Sequence, residues 1–157
     1  YGVSVAIGNL WGGRLADRLG PTHALPIIFV GLAGVLMALY FTAATPWLAL
    51  LTVVFWGALA FGSVPGLQVY VVQQAEQVAP HAVDVASGLN IAAFNLGIAG
   101  GAWVGGAIVA DMGLLHTTWI GALTVLMAAA LTLLSQWLDR RHRDAATVAH
   151  PERARSA

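Results

Sequence analysis

WLALLTVVFWGALAFGSVPGLQVYVV, residues 47–72, runs without one charged side chain. About 20 apolar residues of helix cross a hydrocarbon core of roughly 30 Å, so this stretch is long enough to span a bilayer. In lipid every backbone polar group must find its partner within the protein, which leaves helices and closed barrels. Barrel strands alternate apolar and polar residues, and residues 47–72 do not, so the stretch reads as a helix. Three more runs of the same kind lie near residues 25–43, 87–110 and 119–138. Residues 1–13 are apolar too but meet Arg14 before they could cross, and they read as a partial helix. They carry no basic region ahead of an apolar core, so they are not a signal peptide. The expected fold class is an all-α membrane protein, a polytopic transmembrane helix bundle over residues 1–138, with residues 139–157 as a basic, disordered tail.

Composition agrees with that solvent. The chain is 59% hydrophobic and 9% charged, with a mean hydropathy of +0.78, whereas about a quarter of the residues in soluble domains are charged. It has no lysine and no cysteine, and its arginines fall in two places: Arg14 and Arg18 in a charged knot after the opening stretch, and Arg140, Arg141, Arg143, Arg153 and Arg155 in the tail. An even number of crossings separates the two, so both lie on one side, which the positive-inside rule makes cytoplasmic. That places the C-terminus in the cytoplasm. The polar loop QQAEQVAPHAVDVA, residues 73–86, then faces in, and the short connections near Pro46 and Gly113 face out. The lipid bilayer is the first partner implied, and a bacterial inner membrane the expected location.

The spans differ in what they carry. Residues 25–43 and 119–138 hold little that is polar beyond Thr and Ser and can face lipid on most sides. The span 47–72 carries Pro65 between Gly62 and Gly66, with Gln68 one turn on. Proline removes the amide that would bond the Phe61 carbonyl, and irregular backbone within a membrane is tolerated only against protein or a water-filled cavity. Gln68 is a candidate ligand for substrate or, equally, a bond to a neighbouring helix. In the span 87–110, Gly97, Gly101 and Gly105 repeat every fourth residue and would let another helix approach closely, and the same stripe runs back through Phe94 to Asn90. Asn95 points about 140° away from Asn90. Asn95 is therefore expected to help helix packing, with Asn90 left to face a ligand or to bond another helix.

Absences narrow the chemistry. No Asp, Glu, Lys, Arg or His lies inside the four spans, although ion relays in membranes are normally built from such groups. The cluster GIAGGAWVGG follows no strand and precedes no lysine, so it is not a phosphate loop, and nothing in the chain has the spacing of a metal site or a catalytic triad. His23, His81, His116, His142 and His150 fall in loops or the tail. The expectation is no enzyme, no cofactor, no metal and no nucleic acid.

Gly13-Arg14-Leu15-Ala16-Asp17-Arg18-Leu19-Gly20 resembles the G-x-L-x-D-R-x-G signature of the major facilitator superfamily, found in a cytoplasmic loop and echoed in the second half of such transporters. The stretches PGLQ and ASGLNIAAFNLGIAGGA resemble late helices of its drug:proton antiporter branch, notably the arabinose-efflux-permease-like proteins. Where the signature usually continues with two basic residues, Pro21 and Thr22 stand instead. The resemblance implies the end of helix 8 followed by helices 9 to 12 of a C-terminal half, whose partner is the N-terminal half of the same transporter. It implies export of a small organic molecule, sugar or drug-like, in exchange for protons by alternating access. Helices 10 and 11 would line the cavity, with Trp56, Gln68, Asn90 and Phe94 facing substrate and helices 9 and 12 peripheral. It also implies a conformational latch at Gly13, Asp17, Arg18 and Gly20, with Asp17 capping a helix N-terminus of the other half. Two other readings stand beside it: a same-fold importer, and a small membrane scaffold that transports nothing.

Overall fold

The computed structural model describes residues 2–149. Five α-helices follow one another: α1 (Gly2–Leu19), α2 (Pro21–Thr42), α3 (Pro46–Val78), α4 (Val83–Met112) and α5 (His116–Ala149), with a 3₁₀ turn at Pro80–Ala82 joining α3 to α4. Backbone chemistry sets each break. Gly20 takes φ 74°, and Gly113 takes φ 94°, a region open to glycine. Pro21 and Pro46 stand at helix starts, where a missing amide costs nothing, and Pro80 opens the 3₁₀ turn. Among the described residues, four helical segments are long and apolar enough to cross a membrane: Pro21–Thr42, Pro46–Val78, Pro80–Met112 and His116–Asp139.

The helices outrun the apolar runs. The charged knot is no loop, because α1 continues through Arg14, Asp17 and Arg18 and turns only at Gly20. The polar stretch 73–86 shrinks to the turn around Ala79 and Pro80, its remainder being the last turns of α3 and the first of α4. α5 likewise runs on through Ala149, into the segment expected to be disordered, while residues 150–157 lie outside the described residues. Arg, Leu, Ala and Gln all favour helix, so charge marks where the chain leaves an apolar medium and not where the helix stops. At 1.5 Å per residue, α3 is roughly 50 Å long and overshoots a bilayer core.

Small residues bring α1 against α3. The buried positions of α1 are Ser4, Gly8, Gly12 and Ala16, one every fourth residue, and they meet Ala58, Gly62 and Gly66 of α3. A Cβ on Gly12 would sit 2.0 Å from the Gly62 carbonyl oxygen, and one on Gly8 2.1 Å from that of Ala58, so only glycine permits this approach. α2 is the core helix. Its buried face runs Ala24, Leu25, Ile28, Phe29, Leu32, Ala33 and Leu36, and it seats against Ala122 and Ala129 of α5. α2 is the most buried of the four spans, so a helix that can face lipid on most sides also serves as the core, as one apolar all round can. α4 has no buried residue at all.

Candidate functional site

Gln68 and Asn90 meet. Asn90 Nδ2 donates to Gln68 Oε1 at 2.7 Å, while Gln68 Nε2 donates to Ser87 Oγ, so one side chain of α3 is held twice by α4. Local structure places them. Ser87 and Asn90 lie three residues apart on one face of the first turns of α4, and the turn at Pro80–Ala82 folds that face back onto the last third of α3. All three side chains are partly buried. Gln68 was expected either to meet a ligand or to bond a neighbouring helix, and within this chain it does the second. α3 stays helical through Pro65.

Beyond this clasp α4 diverges from the bundle and leaves a groove of about 710 Å³ between α2, α3, α4 and α5. Trp56 lines it from α3, packed against Leu32, Leu36 and Ala122, and Gly97, Gly101 and Gly105 line it from α4. The glycine stripe therefore faces open space. A Cβ on any of the three would meet nothing within 4 Å, so the close helix packing expected of them does not occur within the described residues. The stripe's spacing matches that of Gly8 and Gly12, but among the described residues no helix lies against it. Asn95 is exposed, and its Nδ2 donates at 2.9 Å to the Ile91 carbonyl one turn back on its own helix. Phe94 is 41% exposed on α4. The threonine hydroxyls of the groove are taken up by nearby carbonyls, Thr117 by Leu114, Thr118 by Leu115 and Thr124 by Ile120.

In the knot, Arg14, Asp17 and Arg18 are exposed on the last turns of α1. Gly13 is an ordinary helical position with open space where a side chain would project, whereas Gly20 makes the turn.

Sequence reasoning missed a second polar cluster. Asp139 of α5 accepts hydrogen bonds on Oδ2 from Tyr70 Oη at 3.1 Å and Gln74 Nε2 at 2.8 Å, both on α3, beside a cavity of about 330 Å³ lined also by Thr22 and Gln136. Asp139 had been counted with the tail because it follows the last apolar run, and the signal for it was the Tyr70–Gln74 spacing of one helical turn. His116, expected as a loop residue, is the first residue of α5, and its Nδ1 is enclosed without a hydrogen-bond partner.

The family model described as the Major Facilitator Superfamily matches residues 1–156. The chain is 51% identical over 93% of its length to the uncharacterized MFS-type transporter YtbD of Bacillus subtilis, covering 37% of that protein. It is 38% identical over 85% of its length to the inner membrane transport protein YdhP of Escherichia coli K12, covering 33% of it. With a probable sugar efflux transporter of Pasteurella multocida it shares 32% identity over 87% of its length and 33% of the relative's. The chain thus spans about a third of the length of the curated relatives it matches. No solved structure matches it.

Proposed function

The chain belongs to the major facilitator superfamily, and on that footing we propose that it forms the later part of the C-terminal half of a secondary transporter of the drug:proton antiporter branch. In this reading it exports a small organic molecule, sugar or drug-like, in exchange for protons by alternating access. α2 to α5 stand for helices 9 to 12, and α1 for the end of helix 8. The inner membrane protein and the sugar efflux transporter among its relatives support the membrane and the direction.

The observation that carries the reading is the Gln68–Asn90 clasp, which joins α3 to an α4 that is otherwise bare and that further along walls an apolar groove. The joined amides can hydrogen-bond a neutral ligand, with Phe94 one turn beyond Asn90 on α4, while Trp56 supplies aromatic surface to the separate groove about three turns away along α3. A ligand carbonyl or hydroxyl can replace either partner of the clasp, so binding and the α3–α4 junction respond together. The exposed glycine stripe of α4 offers the N-terminal half a surface of close approach. The proton is carried elsewhere in the longer protein, because the four apolar runs hold no Asp, Glu, Lys, Arg or His. Asp17, on the exposed end of α1, is the latch that caps a helix N-terminus of the other half when that face closes, with Arg18 beside it and Gly20 making the turn.

The genomic DNA upstream of Tyr1 tests the proposal at its root. A continuous reading frame with further apolar spans supports the transporter, and a stop codon followed by a nearby start supports a small scaffold. Reconstituted by itself, the chain gives no substrate-dependent proton flux, and a flux that follows an imposed pH gradient would overturn the division of labour.

A further inference from the structure

A crevice of about 340 Å³ runs lengthwise between the start of α2 and the later part of α5. Its walls change character along their length. On α2 they pass from Thr22 and His23 to Pro26 and Ile27, and on α5 from Trp137 to Leu133 one turn deeper. The mouth is polar and the depth apolar. At the mouth the Arg141 guanidinium lies 3.8 Å over the centre of the Trp137 ring. Stacking uses the flat face of the guanidinium and leaves its N–H groups, which lie in the plane, free to donate at the rim. Arg141 is exposed, and Ile27, Leu133 and Trp137 are each about half exposed, so the crevice opens sideways from the bundle.

Depth fixes the setting. The apolar run of α5 ends at Leu138, between Trp137 and Arg141, which puts the crevice mouth at the boundary of the hydrocarbon and the ring at the level where tryptophan anchors. Asp139, at the same level, accepts hydrogen bonds from Tyr70 and Gln74 of α3. Gln136 closes the back of the crevice by donating to the Thr22 carbonyl at 2.6 Å. We propose that this crevice seats an anionic phospholipid of the adjoining leaflet, its phosphate on Arg141 and one acyl chain along Ile27 and Leu133. Charge complementarity selects the head group, and the polar-to-apolar gradient of the walls selects an amphiphile over a free anion.

Native mass spectrometry of the whole protein, released from mixed micelles of palmitoyl-oleoyl phosphatidylglycerol and palmitoyl-oleoyl phosphatidylcholine, reads the preference. Phosphatidylglycerol is retained at least about fivefold over phosphatidylcholine, the factor one interfacial arginine contributes. Arg141→Gln removes that preference, and Arg14→Gln, which deletes the same charge on α1, leaves it. Ile27→Trp fills the crevice with Arg141 intact and lowers retention of the lipid. Inorganic phosphate at millimolar concentration does not displace it. Equal retention of the two lipids, equal loss in Arg14→Gln and Arg141→Gln, or full retention in Ile27→Trp would each overturn the site. An unchanged thermal unfolding midpoint confirms that each variant is folded, and Leu133→Trp replaces Ile27→Trp if the latter is not.

Discussion

Gln136 of α5 supplies the hydrogen bond that Pro26 of α2 takes away. Pro26 has no amide to donate to the carbonyl four residues back, that of Thr22, and Gln136 Nε2 donates to this same oxygen at 2.6 Å. The proline that interrupts the ladder of α2 thereby selects the neighbour α2 packs against. Gln136→Ala is expected to destabilise the bundle by about 1 kcal/mol, the usual cost of orphaning a partly buried carbonyl. Pro26→Ala restores the donor, so in that background Gln136→Ala should cost much less. A double-mutant cycle on unfolding in mild detergent measures the coupling, and additive costs would break the link.

Two glycines with the same spacing pattern should respond in opposite ways. Gly12→Ala drives a methyl group against the Gly62 carbonyl and forces α1 from α3, at an expected cost of about 1 to 3 kcal/mol. Gly101→Ala meets open space within this chain and should leave its thermal stability within about 0.5 kcal/mol or raise it, since alanine favours helix. Equal losses at the two positions would contradict the described packing of α4.

The arginine distribution predicts a sidedness that single cysteines can read, because the chain has none of its own. Ala44→Cys and Leu114→Cys, both at exposed positions, should react with a membrane-impermeant maleimide in intact cells. Leu19→Cys and Asp84→Cys should react only after the membrane is opened. The reverse pattern would invert the topology.

How much of this was legible beforehand depended on whether a signal was local. The membrane class and the helical fold follow from apolar runs such as residues 47–72, whereas Pro65 gave no sign that α3 would run on unbroken through it. The stripe Ser4, Gly8, Gly12, Ala16 was equally visible, but residues 1–13 were weighed by hydropathy alone, which is blind to small residues as packing surface. Gly97, Gly101 and Gly105 show the converse limit: spacing says that a close approach is possible and not which helix makes it. Gln68 meeting Asn90, and Gln136 meeting Thr22 across 114 positions, depend on how the helices fold back, which no local pattern carries. The ends near residues 43, 47 and 110 were legible, but those at the charged and polar stretches were not, since charge was read as a stop although the breaks between the described helices fall at Gly20, at residues 43–45, at residues 79–82 and at residues 113–115.

The central claim is that the α3–α4 clasp belongs to the path of an exported substrate, and transport by the complete protein tests it most directly. Everted membrane vesicles with an acidified lumen, offered radiolabelled arabinose as a sugar probe and ethidium as a drug-like one, should accumulate at least one of them. Gln68→Ala and Asn90→Ala should each raise the half-saturating concentration about 2- to 10-fold, the loss of one neutral hydrogen bond, with the protein still folded. Because the two side chains act as a unit, the double variant should lose little more than either alone. Accumulation of neither probe, or half-saturation unmoved by both substitutions, would contradict the account.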